Sequence, residues 1–187
     1  SIFLNYKKMK LDYSPKLITL KKFKDSRGSL SRIFCINQTF KKGFDISLKQ
    51  INFVNVKRKA TIKGMHMQLP PYTEVKTVSV IKGKIFDVIL DLRKGSKNFL
   101  KWKSYIMSSN QNKSLIIPKG FAHGFQTLTD ECEILYCHSE IYKSKNEISI
   151  NPFDTSVKIK WPIKVSNISI KDKKAKYIFN DFKGIVI

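Results

Sequence analysis

Cysteine is scarce in this chain, and the three cysteines present match neither a disulfide framework nor a zinc site. Cys35, Cys132 and Cys137 are odd in number, and no two of them have Cys-x-x-Cys spacing. Small disulfide-held domains usually carry an even number of cysteines, and structural zinc sites need closely spaced pairs. We therefore expect reduced, buried thiols.

Long hydrophobic runs are also missing. No segment approaches the roughly 20 apolar residues that a membrane-spanning helix requires, and the apolar cluster at residues 2–4 is too short for the core of a secretion signal. We therefore expect a cytoplasmic protein without a membrane partner. The length of 187 residues fits one domain. We expect that domain to cover residues 1–187, with residues 1–8 as an extension before Met9.

Acidic residues and arginines are few. The chain has 14 acidic and 36 basic residues, a formal charge of +22, but only four of the basic residues are arginine. Arginine is the preferred reader of phosphates and base edges, so the charge indicates a lysine-rich composition and no specific nucleic-acid partner. The positive field still attracts anions such as a diphosphate. A non-catalytic basic module that binds nucleic acid or anionic glycans is the alternative from another class.

Helical periodicity is weak, and the strongest pattern is alternation with a period of two. Residues 76–92 alternate around a Lys-Gly-Lys turn centred on Gly83, which predicts a β-hairpin. Similar short runs occur at residues 48–56, 102–108, 114–118, 124–128 and 133–139. Many short strands with few helices predict an all-β fold, with a jelly roll as its natural closed form. Minor helices are expected near residues 41–44 and after residue 171.

Two of the three histidines stand in unusual local settings. His66 lies in Gly64-Met65-His66-Met67-Gln68, and His123 lies in a Gly- and Phe-rich segment after Pro118. If residues 61–68 form a strand, His66 shares one face with Gly64 and Gln68. A hydrogen-bonded core imidazole is the more common role for a lone histidine, so the pattern alone leaves structure and function both open.

Asp87 is a second anomaly, because it lies between Ile85 and Ile89 on an apolar strand face. A buried carboxylate needs a partner. Lys76 begins the preceding strand, and we expect it to lie opposite Asp87 across the predicted hairpin. Such a pair can serve structure or chemistry equally. Tyr136 also alternates onto an apolar face, so its hydroxyl is expected to reach a barrel interior.

The segment from Pro118 to His123 resembles one half of the metal-binding pattern of cupins. The other half, His-x-His followed by an acid, is missing, since the chain reads His66-Met67-Gln68 with Glu74 as the only nearby acid. Two imidazoles without a well-placed carboxylate or thiolate make a poor divalent site. We predict no metal.

A set of ordered motifs between residues 17 and 177 resembles a known family. The motifs are Asp25-Ser26-Arg27-Gly28, Gln50-Ile51-Asn52, Gly64-Met65-His66-Met67-Gln68, Pro70-Pro71 followed by Lys76, Gly83 to Asp87, Asp91-Leu92-Arg93, Pro118 to Phe125, Tyr136 with Tyr142, Trp161-Pro162, and Ser169-Ile170-Lys171-Asp172. Together they resemble the dTDP-4-dehydrorhamnose 3,5-epimerases of the cupin superfamily. The resemblance implies a cupin-type jelly-roll β-barrel, a nucleotide-diphosphate sugar as substrate, no cofactor, and a homodimer.

The resemblance also implies roles for five residues. His66 would be the base, and Asp172 would hold its ring. Tyr136 would return a proton from the opposite face of the sugar. Lys76, positioned by Asp87, would stabilise the enolate oxygen. The reaction implied is inversion at C3 and C5 of a 4-keto-6-deoxyhexose, and inversion at only one carbon of a different nucleotide-linked 4-keto sugar is the alternative.

The family pattern assigns a further group of residues to the nucleotide diphosphate and its surroundings. These are Arg27, Gln50, Asn52, Lys63, His123 and Lys171, with Tyr142 stacked on the base. Three positions depart from the family. Lys63 replaces the usual arginine, Arg32 replaces an acid, and Ile141 replaces an aromatic residue. A lysine offers phosphate a point charge where arginine offers a bidentate fork.

Overall fold

The computed structural model describes residues 13–44, 46–178 and 181–187, and the regular elements there are mostly short strands. The strands are β1 (Lys16–Thr19), β2 (Lys22–Asp25), β3 (Gly28–Ser31), β4 (Gln50–Val56), β5 (Thr61–Gln68), β6 (Lys76–Lys82), β7 (Lys84–Asp91), β8 (Trp102–Ser108), β9 (Lys113–Ile117), β10 (Phe121–Thr127), β11 (Cys132–His138), β12 (Glu147–Ser149) and β13 (Asn167–Ile168). Two short helices are α1 (Ile36–Lys41) and α2 (Ile170–Lys173). The predicted extension at residues 1–8 lies outside the described residues.

Two sheets face each other across one hydrophobic core. The first has the order β1-β9-β6-β11-β4, and the second has the order β12-β5-β10-β7-β8 with β13 parallel to β5. β2 and β3 form a separate hairpin. Side chains from both sheets meet between them, including Val78, Ile134, Ile89 and Phe125. The predicted all-β jelly roll with minor helices is confirmed.

The predicted β6–β7 hairpin is wrong. β6 is hydrogen-bonded to β9 and β11, whereas β7 is hydrogen-bonded to β10 and β8. The turn at Gly83, which has a φ of +82°, therefore carries the chain from one sheet to the other. Alternation reports which face of a strand is buried, and both strands bury one face in the same core. It does not report which neighbour each strand pairs with.

Most other predicted strands are confirmed within a few residues. β8 has the predicted bounds, β5 has the bounds of the strand considered around His66, and β10 begins three residues before the predicted start. Helix α2 lies where a C-terminal helix was expected. The helix expected at residues 41–44 is wrong in position, because α1 ends at Lys41.

The states of the cysteines agree largely with expectation. All three cysteines are free; Cys132 and Cys137 are buried, whereas Cys35 is partly exposed. Within the described part of the chain, no helix has the length and apolar character needed to cross a membrane.

Candidate active site

A cavity of about 180 Å³ lies between the two sheets and is lined by polar side chains from both. Lys63 and His66 come from β5, and His123 comes from β10, where it is the register partner of His66. Lys76 and Tyr136 reach the cavity from β6 and β11 of the opposite sheet. The structure therefore brings together five residues that were singled out in the sequence.

His66 and Asp172 form the dyad that the family pattern implies. His66 Nε2 lies 2.6 Å from Asp172 Oδ1, although 106 residues separate the two in the chain. The histidine side chain is 30% exposed toward the cavity, and the aspartate side chain is only 5% exposed. A buried carboxylate beside a partly exposed imidazole can fix the ring and stabilise its protonated form.

Asp172 reaches His66 because β13 pairs in parallel with β5 and leads directly into α2, which carries Asp172. Ser169 caps this helix, since its hydroxyl accepts the backbone N–H of Asp172 (3.0 Å). The backbone N–H of Gly64 donates to Asp172 Oδ2 (3.1 Å). Burial on its own would raise the pKa of Asp172, but the hydrogen bonds from His66, Gly64 and Ser169 lower it overall.

Tyr136 stands edge-on between two imidazoles. Its ring centre lies 5.7 Å from that of His123 and 5.9 Å from that of His138. Burial raises the pKa of Tyr136 well above its ordinary value, and the negative charge of Asp87 raises it further. The phenol therefore stays protonated at neutral pH and can act as a proton donor.

The predicted Lys76–Asp87 pair is wrong, because the two residues lie in different sheets. Asp87 is fully buried and its Oδ2 lies 2.8 Å from His123 Nε2. Lys76 Nζ instead lies 2.9 Å from Glu74 Oε1. Asp87 therefore positions His123, and Glu74 is the carboxylate that holds Lys76.

Glu74 is also bound by His138, and no sequence motif assigned a role to either residue. His138 Nδ1 lies 2.8 Å from Glu74 Oε2, so one carboxylate serves an imidazole and the Lys76 ammonium. Burial alone would raise the pKa of Glu74, but Lys76 and His138 together hold it at about 2. His138 shares a strand face with Tyr136, so the period-two pattern could have placed it in the cavity.

Glu147 is a third residue that the sequence analysis missed. It accepts hydrogen bonds from the Tyr142 hydroxyl (2.8 Å) and from the Lys171 ammonium, and its Oε1 lies 3.7 Å from His66 Nδ1. Burial alone would raise the pKa of Glu147, but these two hydrogen bonds lower it overall. No local pattern marks this residue, since it reaches the site only because β12 pairs with β5.

Most of the residues assigned to the nucleotide lie at or near the mouth of the cavity. Asn52 and Lys63 line it. Gln50 Nε2 donates to Asn52 Oδ1 (2.9 Å), and Gln50 Oε1 accepts the backbone N–H of Tyr142 (2.9 Å). Tyr142 is half exposed and Lys171 is exposed, so both can meet a ligand that extends out of the cavity.

Two of the assigned residues do not lie at the mouth. His123 is buried in the cavity wall, and Arg27 lies away from the cavity. It lies in the turn between β2 and β3, where its side chain is 88% exposed and bound to Asp25 (2.7 Å). It is not among the residues that line the cavity. Arg27 therefore does not reach the cavity of its own chain.

Among the described residues, no group of three or more His, Cys, Asp or Glu side chains is arranged so that it could hold a metal ion. His66 and His123 each direct one ring nitrogen at a carboxylate. The absence of a metal and of a cofactor stays a prediction.

Comparisons with known proteins agree with these features. The family model described as dTDP-4-dehydrorhamnose 3,5-epimerase matches residues 14–180. The dTDP-4-dehydrorhamnose 3,5-epimerase of Shigella flexneri is 37% identical over 167 residues, which cover 87% of each chain. The Bacillus anthracis enzyme of the same name, crystallised with TDP and PPi, has a TM-score of 0.85 at 32% identity, with 91% of this chain and 99% of that chain covered. The dTDP-6-deoxy-D-glucose-3,5-epimerase of Legionella pneumophila, in complex with dTDP-4-keto-L-rhamnose, has a TM-score of 0.82 at 34% identity, with 87% of each chain covered.

Proposed function

This chain belongs to the dTDP-4-dehydrorhamnose 3,5-epimerase family, and from that premise we propose that it inverts C3 and C5 of a nucleotide-linked 4-keto-6-deoxyhexose. The observation that carries the proposal is the His66–Asp172 dyad, with 2.6 Å between its nitrogen and oxygen, facing a cavity that Tyr136 and Lys76 also line. A basic module that only binds anions would need no such arrangement of base, acid and ammonium.

The reaction begins with a base, which is His66. The ketone at C4 acidifies the protons at C3 and C5, so a positioned imidazole can remove them. Because Nε2 faces Asp172, Nδ1 is the nitrogen left to accept the proton. The Asp172 carboxylate then stabilises the imidazolium that forms.

Lys76 and Tyr136 complete the proton transfer. Removal of a proton leaves an enolate, and the Lys76 ammonium, only 10% exposed, supplies the positive charge that stabilises an anion in a largely buried site. His66 belongs to one sheet and Tyr136 to the other, so they approach a bound sugar from opposite sides. Proton removal on one face and proton return on the other inverts the carbon.

The nucleotide diphosphate would lie toward the cavity mouth. Lys63 and Lys171 supply positive charge for the phosphates, Asn52 and Gln50 supply hydrogen bonds, and the half-exposed ring of Tyr142 can stack on the base. These roles use groups of the protein alone, and the proposed reaction needs no cofactor.

We further propose that the enzyme is a homodimer in which Arg27 completes the partner's site. Arg27 is exposed and lies away from the cavity of its own chain. β4 is an edge strand of the first sheet, and Ile51 and Phe53 on one of its faces are 56% and 59% exposed. An apolar edge strand of this kind suits a partner's strand. Sedimentation equilibrium is expected to give twice the chain mass, and a monomer would contradict the proposal.

The test of function is solvent exchange. The purified chain is incubated with dTDP-4-keto-6-deoxyglucose in deuterated water, and the sugar is followed by NMR. We expect deuterium at both C3 and C5 with the inverted product, and no product with His66→Ala. Exchange at one carbon only would identify a single-site epimerase, and no exchange would refute the epimerase function. Repeating the incubation with GDP, CDP and UDP analogues identifies the nucleotide.

A further inference from the structure

A continuous chain of hydrogen bonds runs along one wall of the cavity, and it begins at Lys76. Lys76 Nζ lies 2.9 Å from Glu74 Oε1, and His138 Nδ1 lies 2.8 Å from Glu74 Oε2. The other ring nitrogen of His138, Nε2, lies 3.3 Å from Asn52 Nδ2. The imidazole therefore joins the Lys76–Glu74 pair to the strand β4, which carries Asn52.

The series of hydrogen bonds continues from Asn52 to the cavity mouth. Gln50 Nε2 donates to Asn52 Oδ1, and the backbone N–H of Tyr142 donates to Gln50 Oε1, both over 2.9 Å. The strand register explains the alignment, because His138 on β11 is the direct partner of Lys76 on β6 and of Gln50 on β4. One end of the chain is the ammonium proposed to face the ketone, and the other is the segment proposed to hold the nucleotide.

The direction of every link is fixed by its chemistry. Because Gln50 donates to Asn52 Oδ1, the Asn52 amide nitrogen points at His138 and must donate to Nε2. His138 Nε2 is thus an acceptor, and Nδ1 carries the proton that is donated to Glu74. Every donor therefore points toward Glu74. Its Oε2 accepts the hydrogen bond from His138, and its Oε1 accepts the one from Lys76.

We propose that His138 is a positioning residue: held as its Nδ1–H tautomer, it fixes Glu74 and through Glu74 fixes the Lys76 ammonium against the substrate ketone. Its second hydrogen bond couples this placement to the nucleotide-binding segment. The inference rests on the proposed epimerase function. The His138 side chain is only 9% exposed, so water cannot readily take its place as a hydrogen-bond donor to Glu74.

The tautomer is tested without any substrate. The chain has only three histidines, so ¹⁵N labelling of histidine resolves each ring by NMR. We expect His138 to carry its proton on Nδ1, in contrast to His66 and His123, whose Nε2 atoms face carboxylates. A proton on Nε2 of His138 would remove the link to Glu74 and overturn the proposal.

Two substitutions separate positioning from general stability. His138→Asn keeps a donor near the position of Nδ1 but loses the acceptor for Asn52, so we expect near wild-type kcat with a raised KM. His138→Leu loses both hydrogen bonds, and we expect kcat to fall on the order of 10- to 100-fold, because small displacements of a group at the reacting centre have effects of this size. Cys137→Ala is the matched control, since Cys137 is the buried neighbour on the opposite strand face. It is expected to lower the melting temperature and leave kcat unchanged.

The outcomes distinguish this inference from the proposed function. If the wild type exchanges deuterium and both His138 variants retain its kcat, the positioning role is wrong while the epimerase function stands. Equal losses of kcat in the two variants would also contradict the positioning role, because the donor that His138→Asn retains would then restore nothing. If the wild type itself shows no exchange, the proposed function fails, and the tautomer measurement still decides whether the Glu74 link exists.

Discussion

Three buried carboxylates in the barrel each orient a nitrogen-bearing side chain. Asp172 binds His66, Asp87 binds His123, and Glu74 binds Lys76. A buried charge is costly without a partner, so removing one member of such a pair leaves the other uncompensated. Removing one member of any of these pairs is therefore expected to lower stability as well as to disturb the geometry of the site.

The Asp172 carboxylate is expected to matter more for turnover than for folding. Asp172→Asn keeps the side-chain shape but removes the charge that balances the imidazolium, so we expect turnover to fall on the order of 10²- to 10⁴-fold. Deuterium exchange and product formation provide the measurement. Glu140→Gln is the control, because it too removes a paired carboxylate, but one that binds Lys49 (2.6 Å) outside the cavity. Full activity in Asp172→Asn would refute the assigned role.

Tyr136→Phe is expected to separate proton removal from inversion. His66 can still take a proton and return it from the same side, so deuterium should enter the sugar while its configuration is retained. Formation of the inverted product should fall on the order of 10²- to 10⁴-fold, the usual contribution of a positioned acid. NMR of the recovered sugar measures both quantities. Unchanged inversion would show that another group is the acid.

Glu74 is expected to make stability depend on pH in the acid range. Its pKa is about 2 in the folded chain and 4.5 without its partners. A lowered pKa stabilises the fold fully above pH 4.5, and this stabilisation, about 3 kcal/mol, disappears as the pH falls toward 2. Denaturant unfolding at several pH values measures it. Glu74→Gln should be less stable than wild type at pH 7 and should lose less stability over this window; parallel curves would contradict the assignment.

The sequence predicted the burial of single residues where the alternation within one strand was sufficient. Alternation placed Asp87 and Tyr136 in the interior, and both lie there or at its edge. It did not identify the partner of Asp87, because His123 comes from another strand. Lys76, the cation expected to lie opposite Asp87, faces a different carboxylate. The pairing of His66 with Asp172 came from family resemblance, since no local pattern spans 106 residues.

At the scale of elements, the close approach of β5 and β10 sets the position of the dyad. An added Cβ on Gly64 would lie 2.5 Å from the carbonyl oxygen of His123 and 2.6 Å from Gly124 Cα. Gly64 also has a φ of +107°, which side chains rarely adopt. Only glycine lets the backbone of β5 reach both β10 and the Asp172 carboxylate.

Gly64→Ala is therefore expected to destabilise the fold by roughly 3 kcal/mol, the sum of backbone strain and steric overlap. Urea unfolding measures the loss. Gly95→Ala is the matched control, because Gly95 also has a positive φ, +74°, but no atom lies within 4 Å of its added Cβ. It should lose only the strain, about 1 kcal/mol. Equal losses in the two variants would show that the β5–β10 contact is not as tight as described.

Strand positions were predictable, and strand partners were not. The residues of β5 and β8 follow from alternation between turn residues, which is a local property. The β6–β7 connection looked like a hairpin because a hairpin and a turn between two facing sheets present the same alternation. The difference depends on contacts with β9, β10 and β11, which are distant in sequence.

At the scale of the whole molecule, the dimer proposal predicts complementation. Arg27→Ala and His66→Ala should each be inactive or strongly impaired alone. When the two are unfolded together and refolded, mixed dimers form in which one site has both substitutions and the other has neither. We expect activity to return to a fraction of wild type. If Arg27 acted within its own chain, every mixed site would retain one substitution and no activity would return.

The base and the acid are attached to different sheets, and this has a consequence for how such an enzyme can change its substrate. The gap that a sugar must fit is set by the apolar side chains that hold the sheets apart, among them Ile134 and Phe125. Larger or smaller residues there would widen or narrow the gap and shift Tyr136, which packs against this cluster, without replacing either reacting side chain. Substitutions in this hydrophobic core can thus change which sugar ring the cavity accepts while His66 and Tyr136 are retained.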